Sequence, residues 1–141
     1  MTLKTTTNTS AHVGMSLSHR RYIDFGKAHY DGNLVDGGFL LGQYSDIATD
    51  LSIQMDGHEG LFASYSEVTF HAPVRGGDVL EVKVDVEAIG RRSRSLSFST
   101  WVVSRAIPER GAGCAEVLTD PILAVVAKGT VVVPLTFQIS E

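Results

Sequence analysis

The sequence predicts an α+β domain in which one long central helix is wrapped by a curved antiparallel sheet of about five strands. Three observations carry that prediction. One stretch has helical spacing, with Leu40, Tyr44, Ile47, Ala48 and Leu51 at offsets of four, seven, eight and eleven, one face of an α-helix. Residues 80–88 alternate: Leu80, Val82, Val84, Val86 and Ala88 face one way, Glu81, Lys83, Asp85 and Glu87 the other, the pattern of a strand with one buried and one wet face. Residues 122–133 are apolar on both faces, which suits a central strand covered on both sides.

In chain order, residues 1–12 read as a polar, flexible lead-in, and residues 15–25 mix apolar and polar side chains as a first strand. The Gly-rich loop His29-Tyr30-Asp31-Gly32-Asn33-Leu34-Val35-Asp36 follows. Asp36 is placed to cap a helix over about 36–54, roughly 28 Å long at 1.5 Å per residue. Asp56-Gly57-His58-Glu59-Gly60 supplies the stop. In the strand at 61–72, alternation assigns Phe62, Ser64, Ser66, Val68 and Phe70 to one face and Tyr65, Glu67, Thr69 and His71 to the other. Burying the five apolar side chains of the 80–88 strand is worth on the order of 10 kcal/mol gross, most of it cancelled by chain entropy. A turn at Gly90-Arg91-Arg92 returns the chain as a hairpin partner over 93–104. Residues 107–120, with Pro108, Gly111 and Gly113, read as a loop with a short helical turn at 114–118. One helix cannot cover such a sheet unless the sheet curls round it, and an edge or face is left for another subunit. That arrangement resembles the hot-dog fold, whose members normally dimerise edge to edge, so a dimer is expected.

Composition narrows the function classes. With 141 residues, 43% of them hydrophobic, the chain has the size of one domain, residues 1–141, with a single core. A net charge of -4 without a basic stripe argues against a nucleic-acid partner. The longest apolar run is broken by Lys128 and is too short for a bilayer, so no membrane partner is expected. The start of the chain lacks the apolar core of a signal peptide. Cys114 is the lone cysteine, which fits a reducing compartment, and a cytoplasmic protein is expected. No His, Cys or Asp cluster has metal-ligand spacing, and no phosphate loop or dinucleotide fingerprint is present.

Several blocks carry a resemblance. They are Ala28-His29-Tyr30-Asp31-Gly32-Asn33-Leu34-Val35-Asp36-Gly37, Asp46-Ile47-Ala48-Thr49, Met55-Asp56-Gly57, Glu59-Gly60-Leu61-Phe62-Ala63, Phe70 with Ala72-Pro73-Val74, Gly77-Asp78, Ser93-Arg94, Glu116-Val117-Leu118, Pro121-Ile122, Gly129-Thr130 and Val132-Val133-Pro134. Together they resemble 3-aminobutyryl-CoA ammonia-lyase, a hot-dog enzyme family of lysine fermentation. The chain departs from it at Gly38, where an Ala is expected, at His58, where an Asp is usual, and at Arg91-Arg92. Related hot-dog proteins of natural-product pathways add glycine to a carrier-bound 2-enoyl thioester and sometimes hydrolyse the thioester. The resemblance implies amine elimination from, or addition to, C3 of a thioester on CoA or an acyl carrier protein. Hydrolysis of a 3-substituted acyl thioester and non-catalytic thioester binding are the alternatives. It implies no cofactor beyond the CoA or phosphopantetheine of the substrate, and a homodimer or higher oligomer.

That chemistry assigns expected roles. Negative charge builds on the thioester oxygen, so donors must aim at it. The N–H groups of Gly37 and Gly38 at the helix start suit this role, although the same glycines can simply open the helix. For the acid/base the candidates are Glu67, Asp36, His29 and His71. Asp36 doubles as a cap, and Glu67 is either a working carboxylate beside Tyr65 or part of a solvated face. Asp46 is placed where thioesterases of this fold carry a carboxylate that activates water, or else it forms the wet face of the helix with Asp50. Asn33, Tyr65, His58 and Arg75 complete the expected substrate contacts. Arg92, Ser93 and Arg94 form a cationic turn suited to the phosphates of CoA or phosphopantetheine.

Overall fold

The computed structural model describes residues 12–134. Strand β1 (Ser16–Tyr22), helix α1 (Gly37–Asp56) and strands β2 (Leu61–Phe70), β3 (Val79–Ile89), β4 (Ser93–Ala106) and β5 (Ala115–Val132) follow one another, with 3-10 turns at Phe25–Lys27 and Pro108–Arg110. The lead-in expected over 1–12 lies, His12 apart, outside the described residues. All neighbouring strands are antiparallel, in the order β1-β3-β4-β5-β2. The helix packs on β3 and also on both edge strands, β1 and β2. Five strands about 4.8 Å apart are wider than a helix about 10 Å across, so contact with both edges requires the sheet to curl round it.

Asp36 caps the helix as expected, its side chain accepting the Phe39 N–H at 3.0 Å. The apolar stripe runs one step past the expected end to Met55, and Gly57, at φ 66, closes the last turn with its N–H on Ile53 O. Leu40, Tyr44, Ile47, Ala48, Leu51 and Met55 are buried against Leu80, Val82, Val84, Val86, Leu96, Phe98 and Val125. Tyr44 stacks on Phe98 at 4.6 Å, donates its hydroxyl to Val125 O at 3.2 Å and accepts from Thr100 Oγ1 at 2.8 Å. Burial pushes its pKa up to about 12, so it remains a neutral donor in the core.

Three expectations are corrected. Two bulges interrupt the pairing of β2 with β5, between Phe62 and Ser64 and between Tyr65 and Glu67. Each extra residue reverses the alternation that follows. Phe62, Tyr65 and Val68 therefore turn inward together, and Tyr65 leaves the face of Glu67. A register shift between Val86 and Ala88 likewise exposes Ala88. The third correction concerns residues 114–118, which form no helical turn: they begin β5, where Ala115, Glu116 and Val117 pair with Ala106, Arg105 and Ser104. Pro121 fits inside this strand because it falls at the register break between Val102 and Ser104, where a missing N–H costs no ladder bond. No helix among the described residues is long and apolar enough to cross a membrane.

Candidate active site

The helix start is held from two sides. Asn33 takes the left-handed conformation at φ 62, and its amide donates to Gly76 O at 2.9 Å. The Val35 N–H donates to Val74 O at 2.9 Å. Across from it, the fully buried Asp78 organises the 73–78 loop: Oδ2 accepts the Arg75 N–H at 2.8 Å, and Arg105 binds both carboxylate oxygens at 2.9 Å while donating to Pro73 O at 3.1 Å. Between these supports lies a cleft of about 360 Å³, lined by Val35, Gly37 and Leu40 on one side and by Phe70, His71, Ala72, Pro73 and Val74 on the other.

The chemistry available at this tip is specific. Of the first helical N–H groups, that of Phe39 is taken by Asp36. Those of Gly37 and Gly38 have no partner among the described residues. They are the donors a helix start leaves for an anion. Asp36 is engaged at both oxygens, since Oδ1 stands 3.0 Å from His29 Nε2. The Phe39 N–H, and then His29, hold its carboxyl below the usual 3.8. A carboxylate so stabilised is an orienting group rather than a proton acceptor near neutrality. His29 is exposed beside Asp36, and His71 lines the cleft.

The remaining expected residues lie elsewhere. Glu67 is exposed, 3.9 Å from Lys128 Nζ, in a groove of about 600 Å³ on the β2, β4 and β5 strands that includes none of the tip residues. Tyr65 donates to Leu41 O at 3.3 Å, and burial raises its pKa. Asp46 is engaged by Arg21 at 3.3 Å. At the far end of the helix, His58 Nδ1 accepts the Gly60 N–H at 2.8 Å. Arg75 is exposed beside the Asp78 loop, with only its backbone in the Asp78 network.

The cationic turn must be corrected most. Arg94 is 3% exposed and bound bidentately to Asp56 at 2.8 and 3.0 Å, which removes it from any phosphate. Because Asp56 ends the helix, Arg92 and Ser93 also sit at its far end, about 30 Å from the tip at 1.5 Å per residue over its 20 residues. Within one chain they do not join the tip cleft. The sequence reading also missed a half-buried pair, His19 Nε2 to Asp50 Oδ2 at 2.6 Å. Its signal was the position of His19 on the inward face of β1, opposite Val82.

No family model matches the sequence. A hexameric hotdog-fold thioesterase of Campylobacter jejuni superposes with a TM-score of 0.68 at 18% identity, covering 87% of this chain and 86% of that one. The fold is therefore the hot-dog fold. A beta-alanyl-CoA:ammonia lyase from Clostridium propionicum superposes with a TM-score of 0.84 at 30% identity over 92% of each chain. The 3-aminobutyryl-CoA ammonia lyase of Acetoanaerobium sticklandii is 42% identical over 107 residues, 76% of this chain and 85% of that protein. The chain belongs to the 3-aminobutyryl-CoA ammonia lyase family of enzymes.

Proposed function

We propose that the protein interconverts a short 3-aminoacyl-CoA with the corresponding 2-enoyl-CoA and free ammonia. The observation that carries this reading is the tip cleft, whose lining includes both Gly37 and His71, at a helix start where the N–H groups of Gly37 and Gly38 are unpartnered among the described residues, in a chain of this family. In the elimination direction, with the 3-amino group protonated as ammonium, a base takes the C2 proton, the C2–H electron pair forms the C2–C3 double bond, and the C3–N bond breaks with its electron pair leaving on the nitrogen as ammonia. Negative charge rests meanwhile on the thioester oxygen, and two preorganised amides at a helix start stabilise it. His71 exchanges the C2 proton, and His29, oriented by Asp36, exchanges the amine proton. Hydrolysis is the weaker reading because Asp46, the carboxylate it would employ, is not among the residues that line the tip cleft. CoA is the carrier in this reading; a carrier protein, or glycine as the amine, would appear as turnover of those substrates in the same assay.

The test is incubation with 3-aminobutyryl-CoA, following enoyl-thioester absorbance, ammonia and free thiol together. Absorbance and ammonia rising without thiol is the expected result, and thiol release alone defeats the proposal. His71→Ala and His29→Ala are each expected to lose about 10²–10⁴-fold in rate. Exchange of the C2 hydrogen in deuterated water, kept in His29→Ala and lost in His71→Ala, separates their roles. The open edge of β2, with Leu61 exposed, further supports pairing of two copies through that strand. Sedimentation at twice the chain mass or a higher multiple is expected; a monomer removes that part of the reading.

A further inference from the structure

We infer that the ring of Phe70 sets the length of the acyl group the enzyme accepts, an inference that rests on the reading that an acyl thioester occupies the tip cleft. Phe70 ends β2, and its ring lies against the first residue of the helix. A Cβ built on Gly37 would stand 2.7 Å from its Cζ and 3.0 Å from its Cε1, so the ring in this position lies directly against the helix start. Glycine at 37 thus lets the ring close on the helix start as well as suiting the thioester. Yet Phe70 is 51% exposed and has no aromatic partner among the described residues. The ring therefore stands half exposed at the lip of the cleft it lines, where an acyl chain can reach it.

The wall behind the ring is pinned. The N–H groups of His71 and Ala72 both donate to Ala124 O, at 2.7 and 3.2 Å, and Arg105 holds Pro73 O at 3.1 Å. With the backbone fixed on both sides, the ring's position is set by its strand and by Gly37. The rest of the lining is largely apolar, with Val35, Leu40, Ala72 and Val74, and the volume of about 360 Å³ is at the small end for ligand sites. Such a space accepts a few methylenes and then meets the Phe70 ring. Removing the ring opens the cleft toward solvent along the end of β2.

The experiment measures binding, so that it does not depend on turnover. Calorimetric dissociation constants are determined for 2-oxopentyl-CoA and 2-oxononyl-CoA, thioethers that keep a carbonyl oxygen but can be neither hydrolysed nor eliminated. They are measured on the wild type, Phe70→Ala and the milder Phe70→Leu. The wild type is expected to prefer the short analogue by about tenfold or more, and Phe70→Ala to abolish or reverse that preference, since a methylene in an apolar pocket is worth about tenfold or more in discrimination. Phe70→Leu is expected to fall between them, and its ranking decides the matter should Phe70→Ala not fold. The same ranking in all three proteins overturns the inference, as does a wild type that binds neither analogue. A shifted ranking in a protein that eliminates no ammonia from 3-aminobutyryl-CoA leaves the Phe70 inference standing and overturns the lyase reading. Elimination with an unshifted ranking does the reverse.

Discussion

Arg94→Leu is expected to lower the unfolding free energy by about 3–5 kcal/mol, the cost of removing one partner of a buried ion pair, and the melting temperature by on the order of 10 °C. The geometry explains the size. Arg94 sends Nε and Nη2 to the two oxygens of Asp56 at 3.0 and 2.8 Å, and Nη1 to the carbonyls of Gly90 and Ser93 at 3.1 Å. Both side chains are 4% exposed. Loss of the guanidinium leaves the Asp56 carboxylate buried at the C-terminal end of a helix, where the macrodipole is already negative. It also removes the guanidinium's donation to the Gly90 and Ser93 carbonyls, of which Ser93 O keeps the Gly90 N–H at 2.8 Å. The double variant Arg94→Leu/Asp56→Leu is therefore expected to recover much of the loss, because removing both charges removes the desolvation problem. Chemical denaturation of the two variants checks this. A loss below about 1 kcal/mol for Arg94→Leu would mean that the pair contributes no more than an exposed one.

Arg94 also shows where a sequence stops being legible. Its neighbours Arg91 and Arg92 are exposed, and nothing in a run of cationic residues distinguishes the one that turns inward. The partner, Asp56, is 38 residues away. The helix was readable because its information is local: a period of 3.6, a capping Asp36 and a closing Gly57. Strand β3 was readable for the same reason, through its period of two. In β2 the inward residues Phe62, Tyr65 and Val68 are three apart, a spacing created by bulges against β5 that the strand's own residues do not announce. The misplacement of Glu67 in the site follows directly from that error. At 115–118 the preceding Pro108, Gly111 and Gly113 suggested a loop, whereas pairing with Ser104, Arg105 and Ala106 makes a strand. The tip was legible because a cap, a glycine pair and a helix start coincide in sequence. Of its far wall, His71 was named as an acid/base candidate, whereas Phe70, Ala72, Pro73 and Val74 were in the resembling blocks without a stated role.

The second large effect is expected at the tip. Gly38→Pro should reduce the rate of ammonia elimination by about 10²–10³-fold, the usual consequence of deleting one donor to a developing oxyanion, while the substrate still binds. Proline is chosen because it deletes the N–H: in the first turn of a helix that N–H has no intrahelical acceptor, and proline's fixed φ is compatible with the helix, although its ring also crowds the preceding Gly37. The Gly38 N–H has no partner among the described residues, so no structural hydrogen bond is lost. Added bulk is the competing cause, since a Cβ at position 38 would come within 3.1 Å of Asp36 Oδ2. Gly38→Ala adds the same Cβ but keeps the amide, and is expected to lose less than about tenfold. Circular dichroism establishes that the helix survives in both. If the two variants lose rate equally, crowding of Asp36 rather than loss of a donor governs the tip, and the role of the Gly38 amide in holding the thioester oxygen is withdrawn. If only Gly38→Pro loses rate, and does so through kcat with KM little changed, the amide acts on charge that exists chiefly in the transition state.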